Sequence, residues 1–243
     1  MGRQQAERLE RIRAARAALE AEARQDPADL DPDGPGPSSG MQKDGKPERA
    51  EDGGPPERAQ RNFTDPDSRI LPTRDGVIQG YNGRVAVDAE LHVIVSQHVA
   101  TTAADYGGLI PLVDAAHAAL GRKPREVSGD TGFATEENLA AMKERRIVAY
   151  LPPARGRHGD DNAAGERRLR YKPRMMAMAG KLRRAGHRSQ YRLRKQVVEP
   201  VFGQIKQARG FRQFLLRSLT KIRSEWAMIC TAHNLLKLAA GAA

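Results

Sequence analysis

Apolar residues recur at helical spacing in some stretches of this chain, alternate in others and vanish from one. Residues 3–24, RQQAERLERIRAARAALEAEAR, are rich in helix formers and contain neither Pro nor Gly. Leu9, Ile12, Ala15 and Leu19 fall one turn apart, and Glu7 can pair with Arg11. So few large aliphatics predict a mostly solvated helix. Residues 25–60 combine Pro, Gly, Asp and Ser with almost no large apolar residue. Such a stretch cannot offset its ordering entropy, and a disordered linker is expected.

From residue 69 the pattern is that of a mixed α/β domain. GYNGRVAVD (Gly80–Asp88) and LHVIVSQHVA (Leu91–Ala100) are β-branched runs around a turn at Ala89–Glu90, a predicted hairpin. Leu109, Leu112, Val113, Ala116 and Leu120 mark a helix within 105–120. Glu126–Gly129 predicts a short strand. A helix follows, with Thr135 as N-cap and Glu136 and Glu137 in its first turn. Ile147–Leu151 is the next strand, halted by Pro152 and Pro153. Residues 154–190 are basic and aperiodic and predict a loop or arm; 191–209 and 221–239 predict two last helices. TDPDSRILPTRDG, which holds Asp65, Asp67 and Asp75, reads as loop. The order hairpin, helix, strand, helix, strand, basic loop, helix is that of an α/β layer fold.

Charge divides the chain more sharply than hydropathy does. The formal net charge is +11, yet residues 1–60 carry 10 basic and 13 acidic groups and residues 61–150 carry 10 and 12. Residues 151–243 carry 21 and 5, so the whole excess lies in the last third, which suits a polyanionic partner. A single cysteine, Cys230, excludes a disulfide framework and a cysteine-based zinc site, and fits a reducing, cytoplasmic setting. No apolar run approaches a membrane span. His98, His117 and His158 lack metal-ligand spacing, His187 lies in the basic arm where it could touch phosphate, and Trp226 with Ile222 and Ile229 reads as helical core. Aromatics at 5% argue against general RNA binding.

Two carboxylates stand out. Asp130, in EVSGDTGF, sits where a strand ends and a turn leads to a helix, the place where α/β sheets collect ligands. Glu199 lies seven residues before Lys206, so on an unbroken helix both project from one face. Tyr191, Arg192, Arg194 and Lys195 precede it. Pro200 predicts a kink, or a helix that starts at Pro200.

These residues carry a resemblance. From about residue 61 to 239 the chain resembles the catalytic domain of DDE-type transposases of bacterial insertion sequences, a ribonuclease H-like α/β fold. GYNGRVAVDAELHVIV, SGDTGFATEENL and YRLRKQVVEPVFGQIKQARGFRQFLLRSLTKIRSEWAMICTAHNLLKL carry it. The family signature is Tyr, two residues, Arg, three residues, Glu, six residues, Lys. Tyr191, Arg194, Glu199 and Lys206 follow it with one residue extra between Arg194 and Glu199, and Lys195 fills the expected arginine slot.

The resemblance implies phosphoryl transfer on DNA, with three carboxylates holding two divalent cations, Mg2+ or Mn2+. Asp130 would be the second acid and Glu199 the third, converging on one cation. Tyr191, Arg192, Arg194, Lys195 and Lys206 would bind DNA at element ends and target. A homodimer, or association with a full-length transposase, would follow. The first acid belongs on an opening strand ahead of the hairpin, and 1–24 resembles a helical insertion that comes after that acid. The expectation is therefore a domain over 61–243 incomplete at its N-terminus and lacking its first acid, with Asp88 the one strand carboxylate that could substitute. Two alternatives differ in kind: a non-catalytic DNA-binding remnant, and a ribonuclease H-like nuclease without transposition.

Overall fold

The computed structural model describes residues 3–24, 60–73, 76–102, 105–153, 172–185 and 190–241. The linker expected over 25–60 lies outside the described residues except for its last position, as do Asp75, His158, His187 and residues 154–171 of the basic arm. The chain forms two compact units. One comprises Met1–Gly83, Val99–Ala103 and Phe214–Glu225; the other comprises Arg84–His98, Ala104–Gln213 and Trp226–Ala243.

The first unit contains helix α1 (Arg3–Arg24), which leaves Leu9 and Ile12 exposed, as its thin stripe predicts. Strands β1 (Arg69–Thr73) and β2 (Gly76–Gly80) pair antiparallel, with Leu71 opposite Ile78. The sequence reads this stretch as loop, yet it pairs although it contains Pro72. A two-stranded ribbon leaves one edge of each strand unpaired, where a missing N–H costs nothing. Asp65 and Asp67 turn out to be structural. Asp65 Oδ1 accepts the Tyr81 hydroxyl (2.7 Å) and the Ser218 N–H (3.0 Å), and Asp67 Oδ2 accepts the Leu219 N–H (2.9 Å). Both carboxylates thus serve the start of the C-terminal helix, Leu219–Gly241, whose first N–H groups have no partner within the helix. Burial, followed by the bond to Asp65, holds the Tyr81 hydroxyl well above its ordinary pKa.

The second unit is mixed α/β. Strands β3 (Asn82–Val87) and β4 (Ile94–Ala100) form the expected hairpin. Its turn is longer than the sequence suggests, because Asp88 Oδ2 accepts the N–H groups of Glu90 (3.0 Å) and Leu91 (2.8 Å). Helix α2 (Leu109–Leu120) leads to β5 (Glu126–Ser128), and α3 (Glu136–Glu144) connects β5 to β6 (Val148–Tyr150). β5 and β6 are parallel, Val127 opposite Ala149. Thr135 caps α3 as predicted, its hydroxyl accepting the Asn138 N–H at 3.0 Å. The described strands make three two-stranded sheets, not one continuous mixed sheet.

The arm expected over 154–190 is not aperiodic throughout, since residues Pro173–Ala185 form helix α4. Met175 and Met178 from α4 join Leu109, Val113, Leu139, Met142, Ile147 and Leu151 in the core of this unit. The two last helices also differ from expectation. A 3₁₀ turn (Gln190–Leu193) runs into α5 (Arg194–Gly203), a π-turn (Gln204–Ala208) follows, and α6 is Leu219–Gly241. Pro200 neither starts α5 nor ends it. Val197, Val201 and Ile205 are all buried, and burying that apolar stripe outweighs one lost hydrogen bond. Trp226 is core as expected, stacked on Phe202 and donating to the Arg84 carbonyl (3.1 Å).

Candidate nucleic-acid interface and acidic site

Asp130 follows β5 directly, at the carboxyl end of the parallel pair. Gly129 just before it must be a glycine for space: a Cβ there would lie 2.9 Å from Leu151 and 3.1 Å from Phe133. The Asp130 carboxylate accepts the Thr131 N–H at 2.8 Å and caps the short turn Thr131–Phe133. Asn138, 3% exposed, steadies that turn by donating to the carbonyls of Phe133 (2.9 Å) and Tyr106 (2.7 Å). The acid is thus set at a sheet end by buried groups while its side chain stays half-exposed.

Arg194 reaches Asp130 from the first turn of α5, with Nη2 3.7 Å from Oδ1. The guanidinium also lies over the Tyr191 ring, 4.8 Å from its centroid. Tyr191 stacks on Tyr150, the last residue of β6, with centroids 6.4 Å apart and planes at 29°. Lys181 of α4 also meets this set, its Nζ 4.0 Å from the Tyr150 centroid and 2.8 Å from the Ala149 carbonyl. A half-exposed ion pair such as Arg194–Asp130 contributes about 0.2–1 kcal/mol, whereas desolvated cation–π contacts reach about 2 kcal/mol. Arg194 is thus held by a ring face and a carboxylate together.

Glu199 stands elsewhere on α5. Five residues beyond Arg194, it lies about 140° round the helix from it, and it is exposed. Arg192, Lys195 and Lys206 are exposed as well. The π-turn closes with the Arg209 N–H on the Gln204 carbonyl (3.1 Å), and a wider turn advances less angle per residue. Lys206 is thereby turned somewhat from the row that Glu199 starts, and its Nζ lies 5.5 Å from the Phe202 centroid. Of the candidate residues, the fold brings Asp130, Tyr191 and Arg194 together and sets Arg192, Lys195, Glu199 and Lys206 on exposed surface. Asp88 spends an oxygen on its hairpin turn.

Sequence reasoning missed Tyr150, Lys181 and Asn138. Lys181 had a usable signal, because Met175, Met178, Ala179 and Leu182 fall at helical spacing around it. The Asp130 carboxylate offers the hard oxygens that Mg2+ or Mn2+ prefers. Among the described residues, however, no three acidic, histidine or cysteine side chains come together to hold an ion. The described donors do not make a complete cation site.

No described helix is long and apolar enough to cross a membrane. No curated protein and no solved structure gives a significant match to the chain. Residues 161–239, about a third of the chain, match the family model of the transposase DDE domain. Tyr191, Arg194, Glu199 and Lys206 all fall inside that span, and through it the chain is similar to the DDE-type transposases.

Proposed function

We propose that this chain is the DNA-holding part of a DDE-type transposase of ribonuclease H-like build, which supplies two of three catalytic acids, Asp130 and Glu199. The third acid comes from outside the described residues, where a further strand would also be needed to join the two ribbons of the second unit into one sheet. The contact between Arg194 and Asp130 carries this reading. It ties an acid at a strand end, outside the matched span, to the signature residues inside it. Arg192, Lys195 and Lys206 hold phosphates, and Tyr191 orients a DNA end against the Arg194 face. The +16 excess of the last third supplies sequence-independent affinity by releasing counterions from DNA.

The test uses the purified chain with supercoiled and linear DNA in Mg2+ or Mn2+. Salt-sensitive binding without nicking above the metal-only background is expected. Nicking that Asp130→Ala abolishes would overturn the missing-acid part of the proposal. Absence of salt-sensitive binding would overturn the DNA reading itself.

A further inference from the structure

We propose that Lys181 and Tyr150 are positioning residues that set Tyr191 and Arg194 at Asp130, through a stacked ladder running from α4 to the end of β5. The consequence for DNA rests on the transposase reading above; the ladder itself rests on geometry. Its rungs are Lys181 on Tyr150 (4.0 Å), Tyr150 on Tyr191 (6.4 Å), Tyr191 under Arg194 (4.8 Å) and Arg194 to Asp130 (3.7 Å).

Each rung has a reason to be the residue it is. α4 is anchored by Met175 and Met178 in the core, which leaves Lys181 at the edge of the helix's buried side. From there its ammonium reaches a carbonyl and a ring face, and the Ala149 bond fixes it above β6. Burial holds its pKa below the ordinary lysine value while the charge of Glu126 opposes that shift. Tyr150 is 9% exposed, so its ring presents a rigid platform. Tyr191 belongs to the 3₁₀ turn before α5, and the Tyr150 face supports its ring. Arg194 then lies against a ring already in place. A guanidinium with its plane set beforehand loses less freedom when it meets a phosphate.

A double-mutant cycle tests this by fluorescence anisotropy on a short labelled DNA duplex, with salt titrations. Lys181→Met is expected to weaken binding by about five-fold, the equivalent of one cation–π contact, and to leave the salt slope unchanged. In an Arg194→Ala background the same change has no further effect. Lys181→Arg keeps a cation over Tyr150 and restores wild-type affinity. Additive losses at constant slope mean a merely structural lysine, and additive losses with a slope lowered by about 0.9 mean a direct phosphate contact; either overturns the proposal. An independent readout is nitration of Tyr191 by tetranitromethane, followed by mass spectrometry without DNA. It is expected to quicken in Lys181→Met and to stay at the wild-type rate in Lys181→Arg. Unchanged nitration in Lys181→Met overturns the ladder even where DNA binds, whereas faster nitration in a chain that binds no DNA upholds the ladder and overturns only the transposase reading.

Discussion

Removing the charges of Arg192 and Lys195 is the most direct probe of the exposed cationic surface. Arg192 lies in the 3₁₀ turn before α5 and Lys195 in its first turn, and both side chains are exposed. Arg192→Gln and Lys195→Gln therefore leave the packed stripe of Val197, Val201 and Ile205 untouched, and the fold should be unchanged. Each phosphate neutralised contributes about 0.9 to the slope of log K against log salt. One contact is then worth roughly eight-fold in affinity between 1 M and 0.1 M salt, and the pair roughly sixty-fold. Anisotropy titrations of a labelled duplex over a range of salt concentrations measure both quantities. The double variant should lose about 1.8 from the slope and meet the wild-type line near 1 M salt. Glu199→Gln, which removes a negative charge from the same surface, should bind more tightly and not more weakly. A double variant whose slope stays at the wild-type value would refute phosphate contact by these residues. Collapse of binding in Glu199→Gln would refute the assignment of a repulsive surface charge there.

Met178→Ala tests whether α4 is part of the core: with 8% exposure in the native state, it should cost about 2–5 kcal/mol in urea unfolding, and a cost near zero would detach α4 from the core. The Asp114–Arg145 fork, with bonds of 2.9 and 2.8 Å, gives a pH-dependent difference. The Arg145 hydrogen bond lowers the Asp114 pKa below 3.8 in the folded state, so the pair's contribution is complete above that value and is lost as pH falls through the depressed one. Asp114→Asn should therefore destabilise by up to about 1 kcal/mol at pH 7 and by nothing at the acid end, as measured by thermal melts across pH; a constant difference would show that the fork plays no part.

Elements with strong local signals were legible in the sequence. Thr135 followed by two glutamates places the start of α3, and alternation of β-branched residues places the β3–β4 hairpin. α4 was not legible, because four cations and an internal glycine, Gly180, mask the spacing of Met175, Met178, Ala179 and Leu182. Pro72 hides β1 in the same way, since the rule against proline in sheets does not bind an unpaired edge. Asp130 and Arg194 could be picked from a strand end and a spacing. Their ladder could not, because Tyr150 and Tyr191 meet across forty-one positions and neither periodicity nor charge marks the pair.

The rotation of α5 explains how Arg194 comes to Asp130. Val201 and Ile205 are each 1% exposed, and that stripe decides which way the helix turns. Arg194 is seven residues before Val201 and lies about 20° from it, whereas Glu199 lies about 160° away. Turning Glu199 to the strand end by rotation alone would expose both apolar side chains, at about 1.5–3 kcal/mol each. The ion pair between Arg194 and Asp130 supplies at most about 1 kcal/mol, so charge attraction is not what sets the helix. A cation shared by Asp130 and Glu199 would thus have to offset roughly 3–6 kcal/mol of lost burial, or the α5 backbone would have to shift along its axis. Apolar packing of α5, fixed by residues that carry no chemistry, governs which of its polar groups the acid meets.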